Sequence, residues 1–168
     1  MDNIILIGMP GAGKSTLGVV LAKIMNYGFV DSDLRIQAQE GKKLYELIEE
    51  YGIEGFLKIE DQVNRHICDN QVVIATGGSA VYNEVSMEYL RSTGLVVYLC
   101  ISCDALKERL GDLDQRGVVL KKGFTVEDLY EERRPYYERY ADIIVDLDGL
   151  SMEEAIRKLV YEINAYKE

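Results

Sequence analysis

Gly8-Met9-Pro10-Gly11-Ala12-Gly13-Lys14-Ser15-Thr16 is the stretch on which the reading of this chain turns. It matches GxxxxGK[ST] in full. A short apolar run, Ile4 to Ile7, precedes it, and a proline-free helical pattern, Leu17 to Met25, follows it. A strand and a helix are the two elements that a phosphate-binding loop joins. The chemistry needs these residue types: glycines let backbone N–H groups close on phosphate oxygens, and the helix N-terminus adds a favourable dipole for an anion. Lys14 would neutralise charge on the β and γ phosphates, and Ser15 would ligate Mg²⁺. Gly8, Gly11, Ala12, Gly13, Lys14, Ser15 and Thr16 are therefore the expected ATP contacts. A plain glycine turn with a solvated lysine would not require the whole motif in this setting.

Working outward, short apolar runs alternate with longer amphipathic stretches, the pattern of βα units around a parallel sheet. The expected strands are Asn3 to Ile7, Gly28 to Val30, Val72 to Ala75, Leu95 to Ile101 and Ile143 to Val145. Helical patterns cover Lys14 to Met25, Leu44 to Tyr51, Gly55 to Asp69, Glu84 to Ser92, Cys103 to Leu110, Thr125 to Tyr140 and Ser151 to Tyr166. The last opens with Ser151 and Glu154 at capping-box spacing. The expected fold is α/β: a single-domain P-loop sandwich spanning residues 1–168, with about five parallel strands and helices on both faces. The polar stretch Gly111 to Gly123 lacks a clear period and reads as a mobile loop.

At 168 residues the chain has the size of one domain. A formal net charge of −10 argues against a protein that tracks a nucleic-acid backbone. The N-terminus has no basic segment, and Ile4 to Ile7 is too short for a signal core or a membrane span, so a cytoplasmic protein is expected. We also expect a monomer, with no membrane partner. Cys100 and Cys103 form a CxxC, but His66 is the only histidine and no second Cys pair accompanies it, so a buried free thiol is the simpler reading of Cys100.

A triphosphate loop does not specify a reaction, since kinases, hydrolytic switches and motors share it. Asp31-Ser32-Asp33 follows the second strand, at the carboxyl end where open α/β sheets bind ligands. One carboxylate there can orient the waters of Mg²⁺ while the other accepts or orients an attacking hydroxyl. Capping of a following helix by Asp31 or Ser32 is the simpler alternative. Thr76-Gly77-Gly78-Ser79 offers backbone amides at a third strand end. In Glu131-Glu132-Arg133-Arg134-Pro135, the proline is expected to end or kink the helix, and the arginines either grip a carboxylate or sit on a solvated Glu/Arg face.

Together these pieces resemble the shikimate kinase family of small P-loop kinases. The resemblance rests on GMPGAGKST (8–16), DSD (31–33), GFxxxE (55–60), ATGGS (75–79), QRG (115–117), RxPYY (133–137) and Ala141-Asp142. It implies that Lys14 and Ser15 serve phosphates and metal, Asp31 supports the metal from outside its ligand shell, and Asp33 receives or orients the acceptor hydroxyl. Arg133 matches the carboxylate-binding arginine and Arg109 the residue against adenine. Arg116 matches the arginine of a lid over about 111–124 whose closure excludes water. The acceptor region is implied at about 32–60. ATP, with Mg²⁺, would then phosphorylate a small carboxylated polyol, best matched by shikimate and yielding shikimate 3-phosphate.

Two departures fall on the acceptor side. The family's GFR motif reads Gly55-Phe56-Leu57 here, removing one carboxylate-gripping arginine. Its third glycine is Ser79. Lys58 is adjacent but rotated by about 100° around a helix, which leaves open whether it substitutes for the arginine. Lys58, Gly77, Gly78, Ser79, Asp33 and Arg133 are the expected acceptor contacts. The same apparatus acting on another polyol or hydroxy acid, and a non-catalytic nucleotide-binding regulator, are the alternatives.

Overall fold

The structure is a computed structural model that describes residues 2–110 and 118–168. Five strands form one sheet: β1 (Asn3–Ile7), β2 (Gly28–Asp31), β3 (Val72–Ala75), β4 (Gly94–Cys100) and β5 (Ile143–Asp146). All pairings are parallel, in the order β2-β3-β1-β4-β5. The inner strands β1 and β3 are buried at every position, because helices cover both faces and an uninterrupted apolar run is what such strands require. Edge strand β5 buries Val145 and leaves its neighbours more exposed.

The helices are α1 (Lys14–Met25), α2 (Ser32–Glu40), α3 (Leu44–Arg65), α4 (Glu84–Thr93), α5 (Cys103–Leu110), α6 (Val126–Tyr140) and α7 (Met152–Lys167), with a 3₁₀ turn over Ala80–Tyr82. The connections from β1 to β2 and from β3 to β4 run across the sheet in opposite directions, so a crevice opens between β1 and β3 at their carboxyl ends. The loops after β1, β2 and β3 all emerge there.

Several expectations need adjustment. Helix α2 has no apolar period that would mark it in the sequence: its composition is polar, and only Ser32 and Ile36 are buried along it. The patterns at 44–51 and 55–69 are one helical run interrupted at Gly52, whose φ of 70° breaks the helical path. Its second half ends at Arg65, before Asp69. Pro135 does not end α6. The proline and Glu131, whose carbonyl loses its amide partner, both lie on the exposed face, where water can take up that hydrogen bond.

Capping fixes the two last helices. Thr125 and Asp128 exchange side-chain-to-backbone hydrogen bonds at the start of α6, and Ser151 and Glu154 do so at the start of α7. Such caps satisfy amides that would otherwise lack partners. The main core gathers β1, β3 and β4 with α1, α6 and α7. A second cluster, Ile36, Leu47, Phe56, Val63 and Val119, joins α2 and α3 to the segment entering α6.

Candidate active site

The loop after β1 reaches α1 through Gly13, in the left-handed region with φ 98°. At Gly8 the backbone passes β4 so closely that a Cβ would lie 2.7 Å from the Leu99 carbonyl oxygen. Lys14 is buried and donates from Nζ to the carbonyls of Gly8 at 2.7 Å and Met9 at 2.8 Å. Burial lowers its pKa to about 8, and the nearby Arg133 charge adds to this, while Asp33, Asp31 and Glu60 oppose it. A cavity of about 370 Å³ lies over the loop, lined by Gly11, Gly13, Lys14, Ser15, Thr16 and Asp33 among others. Gly8 and Ala12 shape the turn beneath it.

Asp31 uses its two carboxylate oxygens differently. One carboxylate oxygen accepts from the Leu34 amide at 3.1 Å and caps α2; the other accepts from Ser15 Oγ at 2.7 Å. Ser32 Oγ donates to Asn64 Oδ1 at 2.8 Å, fastening α2 to α3. Asp33, in the first turn of α2, faces the cavity. Burial raises the Asp33 carboxyl to about 6, helped by Asp31 and opposed by Lys14.

The Gly77-Gly78-Ser79 loop is largely buried rather than open, with only Gly78 partly accessible. A Cβ on Gly77 would lie 2.6 Å from an Asp33 carboxylate oxygen and 2.7 Å from one of Glu60. Ser79 points its hydroxyl at Glu60, 3.0 and 2.8 Å from the two carboxyl oxygens. Glu60 is wholly buried, and burial together with the Asp33 charge lifts its pKa to about 8 against the pull of Ser79, Arg133 and Lys14.

On α6 the buried positions are Leu129, Arg133, Tyr137 and Tyr140, a helical stripe that turns Arg133 inward. Arg134 stays outside, between Glu131 and Glu138. The solvated Glu/Arg face thus belongs to Arg134, while Arg133 faces the crevice. Arg133 donates to Tyr82 Oη at 3.2 Å and to the Val119 carbonyl, and its guanidinium stacks over the Tyr82 ring. Tyr137 donates to the Gly78 carbonyl at 2.6 Å, holding the glycine loop against α6.

A second, smaller cavity of about 50 Å³ lies between Asp33, the 77–79 loop, Val119 and Arg133. It shares Pro10, Asp33, Gly78 and Val118 with the cavity over the phosphate loop. A buried cation, a carboxylate with a raised pKa and a triphosphate loop therefore converge on one crevice, an arrangement suited to phosphoryl transfer onto an anionic alcohol.

Lys58 is exposed on α3 and lines neither cavity. Arg109 lies at the loop, with Nη1 3.2 Å from the Gly11 carbonyl and 3.4 Å from that of Ala12. Arg116 and residues 111–117 of the expected lid lie outside the described residues. At its described end, Val119 is buried against Phe56 and Leu47, so this end is packed rather than loose. Glu60, Tyr82 and Val119 were missing from the expected site. The spacing Phe56-Glu60-Val63 could have flagged Glu60, because it sets a carboxylate on the apolar stripe of α3.

The shikimate kinase family model matches residues 10–164. A shikimate kinase of Thiobacillus denitrificans is 36% identical over 99% of this chain and 92% of its own. One of Thioalkalivibrio sulfidiphilus is 38% identical, covering 98% and 86% respectively. Among solved structures, shikimate kinase from Acinetobacter baumannii in complex with shikimate superposes with a TM-score of 0.91 at 28% identity, over 99% of this chain and 95% of that one. The Aquifex aeolicus shikimate kinase gives 0.85 at 31% identity over 98% of both. With a donor loop, an acceptor carboxylate and an inward arginine in one crevice, and with these matches along almost its whole length, the chain belongs to the shikimate kinase family of ATP-dependent phosphotransferases.

Proposed function

We propose that this protein transfers the γ-phosphate of ATP to a hydroxyl of shikimate, giving shikimate 3-phosphate and ADP. The observation that carries the reading is the meeting of the two cavities at Asp33, with Lys14 on one side and Arg133 on the other. Lys14 would exchange its bonds to the Gly8 and Met9 carbonyls for phosphate oxygens as the triphosphate enters. Arg133 would exchange the Val119 carbonyl for the acceptor carboxylate, because a fork of N–H donors matches that group. A cavity of about 50 Å³ is too small for the acceptor, so binding requires Val118 and Val119 to shift.

Asp33 holds the acceptor hydroxyl in line with the γ-phosphate and takes up its proton, a task for which the ionised form is needed. Gly77 leaves the room for that approach. We assign Mg²⁺ to the Ser15 hydroxyl beside the phosphate cavity, with Asp31, 2.7 Å from that hydroxyl, supporting the ion from outside its ligand shell. When bound, the ion neutralises charge on the β and γ oxygens. Arg109 is assigned to the adenine side, and Arg116 to closure over the phosphates. We also infer a cytoplasmic monomer that does not bind nucleic acid, in keeping with the net charge of −10.

An ADP-release assay with shikimate, quinate and gluconate tests this reading. Shikimate is expected to give the highest kcat/KM; no turnover with saturating shikimate would refute the acceptor. Leu57 favours a second reading, another polyol or hydroxy acid acting through the same apparatus. Preferred turnover of quinate or gluconate would support it.

A further inference from the structure

Glu60 is the buried ionisable group that the phosphoryl transfer leaves without a task. It lies on α3 three residues after Leu57, so the two side chains share a helix face. An arginine at 57 would stand beside this carboxylate. In this chain leucine stands there, and among the described residues the partner of both Glu60 carboxyl oxygens is the hydroxyl of Ser79. A hydroxyl carries one hydrogen and can donate to only one of them. The other contact becomes a hydrogen bond when Glu60 carries a proton and donates it to Ser79 Oγ.

Charge leads to the same state. The groups facing Glu60 are Asp33 from α2, Lys14 from the phosphate loop, and Arg133 and Tyr137 from α6. An ionised Glu60 beside Leu57 would add a second negative charge next to Asp33 and draw on Lys14 and Arg133, the cations of a pocket built to receive an anion. An arginine paired with an ionised Glu60 sums to zero, as does a leucine paired with a neutral one.

We propose that Glu60 is an uncharged carboxylic acid held by Ser79, and that Leu57, Ser79 and neutral Glu60 form one coupled unit that keeps the pocket receptive to an anionic acceptor with Arg133 as its single arginine. Ser79 is a positioning residue, acting through Glu60. The inference rests on the proposed acceptor for its consequence but not for its core, because the protonation state of Glu60 can be read without turnover.

Carbon-13 NMR of glutamate-labelled protein follows the Glu60 carboxyl through a pH titration. In the native protein it is expected to titrate above pH 7. The Leu57→Arg variant should bring it down toward the ordinary carboxylate range, because it places a cation beside the carboxylate. At saturating ATP, the KM for shikimate should rise roughly tenfold between pH 7.5 and 9 as Glu60 ionises, and the Leu57→Arg/Ser79→Gly double variant should lose this rise. Titration of Glu60 near pH 4 in the native protein would overturn the proposal, as would a shikimate KM that stays flat across its titration. Absence of shikimate turnover at every pH, with Glu60 still titrating above pH 7, would strike the acceptor assignment and support the neutral Glu60. The native titration stands even where a variant fails to fold.

Discussion

Replacing Arg133 by lysine keeps a positive charge but removes the planar fork, which makes it the most direct probe of the acceptor side. Arg133 is 1% exposed, and its guanidinium is held by Tyr82 Oη and the Val119 carbonyl. Its place on the buried stripe of α6 fixes the direction in which it points. A lysine there offers a compact ammonium and loses one of two parallel bonds to a carboxylate, plus the stacking on Tyr82. A charged hydrogen bond contributes about 1.5–3 kcal/mol, and about 1.4 kcal/mol is a factor of ten, so the acceptor KM should rise roughly 10- to 150-fold. The retained charge leaves Lys14 in nearly the same field, and Arg133 does not line the phosphate cavity. The KM for ATP should therefore change by less than about threefold, as expected when uniform binding is lost at one subsite only. Initial rates against shikimate and ATP in turn make the measurement. An acceptor KM within threefold of the native value refutes the carboxylate role, and parallel rises in both KM values would point to general damage instead.

Gly77→Ala would set a methyl group 2.6 Å from Asp33 and 2.7 Å from Glu60, so both carboxylates must move. Since displacing a reacting group by about 1 Å costs on the order of 100-fold, kcat should fall at least that much with ATP binding retained; a kcat within threefold of native removes the argument. Glu60→Gln probes stability against pH. The folded-state pKa of Glu60, about 8, lies above its unfolded value of about 4.3, so its contribution is fully present below about pH 4.3 and is lost as pH rises through 8. Glutamine cannot ionise, so the variant's Tm relative to native should improve between pH 5 and 9 by a few kcal/mol, roughly 5–10 °C in a chain of this size. A pH-independent Tm difference would contradict a neutral buried Glu60.

The sequence by itself determined the donor half of this protein. Gly8 to Thr16 is contiguous, and its chemistry depends on local backbone geometry: a strand, a glycine turn and a helix start suffice to build it. The alternating apolar runs likewise determined a parallel sheet, because strands buried on both faces must be apolar throughout. The sequence order of the motifs pointed to the family and, through it, to Arg133, yet the residues alone left Asp31 divided between cap and metal support and did not say which of two adjacent arginines faces inward. Tertiary structure decided these. Asp31 caps α2 with one oxygen and accepts from Ser15 with the other, since Ser15 approaches it from another element, and the stripe Leu129-Arg133-Tyr137 turns only Arg133 inward. Only the fold brings Ser79 to Glu60 across 19 positions of sequence, converting what looked like two separate departures at 57 and 79 into neighbours of one carboxyl group. No local pattern carries that information, because whether a buried carboxyl keeps its proton depends on which charges and hydroxyls from distant segments surround it.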